Sequence, residues 1–291
     1  MSVKNSVLDT ENGFLLYFEA KLDEGLEQLQ TAEYYPMLDD AAKQDIREAV
    51  LAKVDHITGS YCYSVMADLL KDDNPLAGYD LKFITKAEKK RLCPVITQKL
   101  INREIIPPSR MVSNVEKVFD NAIHFYDRML GNLYRYRKEI SNLLFDGRVY
   151  TSVASIEGSG DTHNHGKFTA IIETDQGKLV YKPRSCEIDV QAYHFMKKYF
   201  DDIIVMPKAF AVEQEFGVIE FLTKKISEGE EAAAGYYYAL GGTTALLKTL
   251  GSKDMHLENL FACDGRLALI DIETLLYPYV RPGTERLRGS F

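Results

Sequence analysis

Apolar residues recur three and four positions apart through the first half of the chain, as in Ile46, Val50 and Val54, and again in Val115, Val118, Phe119, Ala122, Ile123, Tyr126 and Leu130. That period gathers side chains on one face of an α-helix, so the region up to Asp146 is predicted to be mainly helical. Ser113 followed by Glu116 fits a capping box that would open the second of these helices, and Pro107-Pro108 breaks the chain just before it. Asp73-Asn74-Pro75 with Gly78 marks another interruption.

After Asp146-Gly147 the pattern changes. Arg148 to Ile156 and Lys167 to Glu173 are rich in β-branched and aromatic residues, and Asp175-Gln176-Gly177 reads as a hairpin turn into Leu179-Val180-Tyr181. Glu187 to Tyr199 predicts a helix, Ile203 to Met206 and Gly217 to Phe221 predict strands, and Ala232 to Leu250 predicts a helix that Gly251 ends. A last hairpin turns at Asp264-Gly265. The expected fold is therefore α+β: a helical region over residues 1–146, followed over residues 147–291 by an antiparallel sheet with further helices.

Composition narrows the partners. The 291 residues are 46% hydrophobic and 11% aromatic, which suits a chain with a large buried core. A formal net charge of -8 disfavours nucleic acid or an anionic membrane as a general partner. Cys62, Cys93, Cys186 and Cys263 stand far apart with no Cys-x-x-Cys or Cys/His cluster, so reduced core thiols are expected rather than disulfides or zinc. The N-terminus has no basic stretch followed by an apolar one, and no apolar run approaches the roughly 20 residues that span a bilayer. A soluble, cytoplasmic protein without stable membrane insertion is the expectation.

Candidate chemistry lies between Gly160 and Glu273. Two segments, SKDMHLENLFA from Ser252 and RLALIDIETL from Arg266, carry polar side chains where strands should be apolar. Asp254, His256 and Asn259 fall on a loop that leaves a helix. Asp271 and Glu273 follow an apolar strand with side chains expected on one face, because strand residues two apart point the same way. Two carboxylates facing together invite a divalent cation. Phosphoryl transfer needs a carboxylate to orient the acceptor hydroxyl, an amide and carboxylates for magnesium, and a lysine for the nucleotide phosphates. Asp254 and Asn259 reproduce the Asp-then-Asn order of a kinase catalytic loop, with Asp271 where a metal-binding aspartate would follow.

Upstream, Lys182 stands near the end of the apolar strand Val180-Tyr181, where a buried stem would aim its ammonium at phosphate oxygens; the plain alternative is a solvent-facing strand lysine beside Arg184. Glu187 or Asp189, early in the next helix, are both possible partners for it. The segment Gly158 to Gly166 joins two strands with glycines, one carboxylate and two imidazoles. Asp161 and His163 there would assist proton transfer near the γ-phosphate or the acceptor, and an ordinary polar hairpin loop is the alternative. Tyr236-Tyr237-Tyr238 reads as an amphipathic helical patch, and His56, His124 and His194 as surface or core histidines.

In order, GDTHNHG, VYKPRS, SKDMHLENL and LIDIETL resemble the successive signatures of the dehydratase domain of class II (LanM-type) lanthipeptide synthetases, over roughly Gly158 to Leu276. The resemblance implies a core like that of a lipid kinase, which phosphorylates Ser and Thr of a leader-bearing precursor peptide with ATP and magnesium and then eliminates the phosphate. It further implies Lys182 for ATP, Asp254 and His256 at the phosphorylation centre, Asn259 and Asp271 for magnesium, and Glu273 beside them. A full synthetase continues into elimination residues and a zinc-dependent cyclase, so the resemblance supports phosphorylation better than dehydration, with a domain expected to be incomplete at its C-terminus. Arg281, Thr284, Arg286 and Arg288 carry no spacing that identifies them with elimination. Two other classes remain open: an inactive module that binds peptide or nucleotide, and a compact kinase acting on a small molecule or lipid.

Overall fold

The computed structural model describes residues 11–73, 84–163, 166–225, 228–253, 255–256, 258–263 and 265–276, with backbone alone at 72–73 and 160–163. The chain divides into two compact units, Met1–Arg137 with Tyr150–Asp175, and Lys138–Val149 with Gln176–Phe291.

Helices dominate the first unit because their apolar residues fall at helical spacing. In α1 (Gly13–Leu29), Phe14, Phe18, Leu22 and Leu29 are buried. Asn12 caps this helix by accepting from the Phe14 amide at 3.0 Å, and its own amide donates to Asp55 and Thr58 of α2 (Asp40–Asp73) at 2.9 and 2.8 Å. Thus one buried side chain both starts α1 and fastens it to α2. Ile46, Val50 and Val54 of α2 are all buried, as their spacing predicts. A capping box does occur, but at Thr85 and Glu88, where it opens α3 (Lys86–Ile101). The one expected at Ser113 and Glu116 does not form. Instead α4 (Ser109–Arg135) starts directly after Pro108, whose ring fixes a backbone angle suited to helix entry. Both residues therefore lie inside α4, and Glu116 pairs with Lys21 at 2.5 Å. Asn74, Pro75 and Gly78, expected to break the chain, lie outside the described residues.

The same unit holds β1 (Val153–His163) and β2 (Lys167–Thr174), an antiparallel pair. Alternate residues of β2 are buried, so one face of the pair is apolar. Asp45 of α2 accepts from the Ile156 amide at 2.8 Å, and Phe168 packs against Phe125 of α4 with ring centroids 4.6 Å apart.

In the second unit, α5 (from Arg137 to Leu144) precedes β3 (Gly177–Lys182) and α6 (Glu187–Tyr199). The bounds of α6 are those the sequence predicts. Next come β4 (Ile204–Val205), β5 (Ala209–Val212), β6 (Phe216–Glu220), α7 (Glu230–Thr249), β7 (Leu260–Cys263) and β8 (Arg266–Leu269). β6 pairs antiparallel with both β3 and β5, and the register sets Lys182 opposite Gly217. The other three strands form a sheet in the order β4-β8-β7, in which β4 runs parallel to β8. That parallel pairing departs from the antiparallel expectation, and the crossover through α7 is what makes it feasible. Below it, Met196, Ile204, Ala239, Leu247, Leu267 and Leu269 share one core.

The four cysteines are free and buried, and His56, His124 and His194 are exposed. Among the described residues, no helix is long and apolar enough to cross a membrane.

Candidate functional site

Lys182 is the last residue of β3, and its side chain is only 10% exposed. The local fold explains this. Opposite it, Gly217 leaves no room for a side chain: a Cβ there would lie 2.3 Å from both Cβ and Sγ of Cys186. Cys186, fully buried, closes the turn between β3 and α6, and burial pushes its thiol up to about 12. The close approach of β6 to this turn brings the start of α6 beside the end of β3.

Asp189, in the first turn of α6 and 4% exposed, stands with Oδ1 3.8 Å from Lys182 Nζ. Glu187, the other option in that turn, is exposed. The same ammonium donates to Asp271 Oδ1 at 2.9 Å, from 89 residues away in sequence. Arg184 joins both acids: Nη1 is 3.7 Å from Asp189 Oδ2, while Nη2 lies 3.0 Å from Asp271 Oδ1 and 2.8 Å from Glu273 Oε2. Burial raises the carboxyl of Asp271, but Lys182 and then Arg184 act in the opposite direction and together hold it below the usual aspartate value.

Asp271 and Glu273 are not successive same-side residues of a strand. β8 ends at Leu269, Asp271 has a φ of +54°, and Glu273 lies in a turn. Strand alternation therefore does not govern them, and the Arg184 guanidinium is what the two carboxylates share. The segment is held from both sides. Asn259 accepts from the Ile270 amide at 3.0 Å through its backbone carbonyl, and Leu276 donates to the carbonyl of Leu250, just past α7, at 2.9 Å. The Thr274 hydroxyl donates to the carbonyl of Lys253. His256 accepts from the Asn259 amide through its own carbonyl at 3.0 Å, and its Nε2 is 3.5 Å from Asn259 Nδ2. Asn259 is buried, whereas the His256 side chain is 47% exposed.

Of the residues singled out in the sequence, Lys182, Asp271 and Glu273 thus gather around Arg184, and Asn259 with His256 is tied to the residue preceding Asp271. Asp254 lies outside the described residues, as do Asn164, His165, Asp264, Arg281, Thr284, Arg286 and Arg288. Asp161 and His163 belong to the first compact unit, near the end of β1, where His163 pairs with Lys167. The segment from Gly158 is not the loop expected: β1 continues through it, with an irregular register between Ser159 and His163 that glycines tolerate. Sequence reading gave no decided role to Arg184 or Asp189. Their signal was position alone, two residues after Lys182 and in the first turn of the following helix.

Among the described residues, no group of three or more His, Cys, Asp or Glu side chains is arranged to hold a metal ion. Asp271, Glu273 and Asn259 nonetheless supply oxygen donors suited to magnesium, which takes one or two protein carboxylates and completes its shell with water and phosphate oxygens.

Residues 109–289, more than half of the chain, match the family described as a domain of unknown function, DUF4135. The chain belongs to this family. DUF4135 is found in LanM-type lanthipeptide synthetases. Its match begins at the first residue of α4, well upstream of the polar motifs, so the DUF4135 domain takes in a helix of the first unit as well as the candidate site. The chain is also similar to the lacticin 481/lactococcin biosynthesis protein LcnDR2 of Lactococcus lactis subsp. lactis, with 28% identity over 170 residues. That match covers 53% of this chain but 18% of the relative's length.

Proposed function

We propose that the chain takes part in lanthipeptide modification as an ATP-dependent phosphotransferase acting on Ser and Thr hydroxyls of a leader-bearing precursor peptide. The observation that carries this reading is the contact of Lys182 with Asp271 at 2.9 Å, which joins the end of one strand to a segment 89 residues later. Kinases need a strand lysine, a helix carboxylate and a metal-binding aspartate in mutual reach. Lys182, Asp189 and Asp271 have that arrangement, and Asn259 is tied to the residue before Asp271.

Lys182 binds phosphate oxygens of ATP, and Asp189 keeps its ammonium aimed. Asp271, Glu273 and Asn259 hold magnesium, which neutralises charge on the phosphates when bound. Asp254 orients the acceptor hydroxyl and receives its proton, and His256 serves the same phosphorylation centre.

The test is transfer of label from γ-labelled ATP, in the presence of magnesium, to candidate precursor peptides. The native chain transfers label, and Lys182→Ala and Asp254→Asn do not; equal transfer by either variant removes the mechanism. Peptide binding without turnover would instead identify an inactive binding module. Label found on a lipid or small molecule would reassign the acceptor.

A further inference from the structure

Arg184 lies within 4 Å of Asp189, Asp271 and Glu273. Its Nη2 is 3.0 Å from Asp271 Oδ1 and 2.8 Å from Glu273 Oε2, and its Nη1 donates to the Ser185 carbonyl at 3.1 Å and stands 3.7 Å from Asp189 Oδ2. Asp271 Oδ1 accepts from Lys182 as well. A carboxylate oxygen has two lone pairs, so two cationic donors leave Oδ1 nothing to offer a metal ion. The two carboxylates suited to a divalent cation are thus engaged by the two cations suited to a triphosphate.

Burial distinguishes these cations. The Lys182 side chain is 10% exposed and confined at the end of β3, whereas that of Arg184 is 34% exposed and borders solvent. Lysine stays while arginine can turn without disturbing the core. A guanidinium also binds phosphate oxygens in two-point geometry as readily as it binds carboxylates.

We propose that Arg184 is an exchange latch: it holds Asp271 and Glu273 in the nucleotide-free protein, then passes to phosphate oxygens as nucleoside triphosphate and divalent cation enter, releasing Glu273 Oε2 and one lone pair of Asp271 Oδ1 for the cation. This rests on the nucleotide-binding reading above. It weakens cation binding in the absence of nucleotide, because a bare ion meets one oxygen of each carboxylate already paired and a guanidinium beside both. Arg184 is in this respect a positioning residue for Asp271 and Glu273, in addition to a phosphate contact.

The experiment uses the full chain and two titrations: Mn2+ alone, followed by the paramagnetic signal of the free ion, and a fluorescent ATP analogue with Mg2+. In Arg184→Gln, Mn2+ binding without nucleotide strengthens about tenfold or more as its competitor is removed, while nucleotide binding weakens by a similar factor through loss of a charge-assisted contact. Arg184→Lys keeps a charge without the fork and falls between, and it carries the same two titrations should the glutamine variant fail to fold. A positive charge acting through its field alone would also oppose Mn2+ and favour nucleotide, but Arg184→Lys would then match the native chain, so intermediate affinities in the lysine variant are the result that marks two-point exchange. The latch is overturned if both weaken or if Mn2+ binding is unchanged. A wild-type chain that binds no nucleotide sinks the functional reading itself, whereas one that binds nucleotide and shows no gain of Mn2+ in the variants sinks the latch alone.

Discussion

Lys182→Met removes one ammonium while leaving most of the stem's volume, so it separates loss of charge from loss of packing. The Lys182 and Asp189 side chains are 10% and 5% exposed, and Asp189 stays beside the vacated position. Removing one partner of a fully buried ion pair costs about 3–5 kcal/mol. Two features reduce that figure here. At 3.8 Å the Lys182 to Asp189 contact is longer than a hydrogen bond, and Arg184 remains 3.7 Å from the other carboxylate oxygen. Asp271, with a side chain 46% exposed, has water available when the ammonium goes. A loss of about 1–3 kcal/mol at neutral pH is therefore expected. Adding Asp189→Asn to Lys182→Met removes the stranded charge and should restore about half of that loss, whereas Asp189→Asn alone should destabilise the native chain. Urea denaturation followed by circular dichroism reads all four proteins, with an unchanged slope showing that the unfolding transition is the same. Nucleotide binding should disappear in both variants that lack Lys182, however stable they are. If Lys182→Met unfolds at the native urea concentration, or if Asp189→Asn restores nothing, Lys182 and Asp189 are not coupled as described.

The depressed carboxyl of Asp271 gives a pH signature. Its folded value lies below the ordinary 3.8, so its contribution to stability is present above that value and is lost as pH falls through the folded one; the gap between native chain and Asp271→Asn should accordingly narrow on acidification from pH 7 to about 3. A gap that widens or stays constant over that range, in parallel urea titrations, contradicts the ion pairs drawn here. Gly217→Ala should destabilise by about 1–3 kcal/mol or more through overpacking, because its Cβ would meet Cys186 atoms at 2.3 Å. Since the Cys186 Cβ is one of those atoms, Cys186→Gly and not Cys186→Ala should relieve it, as measured by thermal midpoint.

Local periodicity determined much of the fold by itself. The bounds of α6, the buried positions of α2, and the turns into β3 and β8 are all matters of which residues stand three, four or two apart, and neighbours in sequence settle them. The order Lys182, Asn259, Asp271, Glu273 was legible in the same way, as polar residues in apolar surroundings. Tertiary structure decided the rest. β5 is a strand of four residues, too short to declare itself, and its identity depends on pairing with β6. The parallel placement of β4 on β8 follows from the shared core beneath α7 rather than from either segment's composition. Only the fold chooses Asp189 over Glu187, since both occupy the first turn of α6 and differ in which way burial turns them. Ion pairing at Asp271 is likewise invisible along the chain: a charge acts through distance in space, and a partner 89 residues away is brought to 2.9 Å by strands, a close glycine contact and a turn acting together.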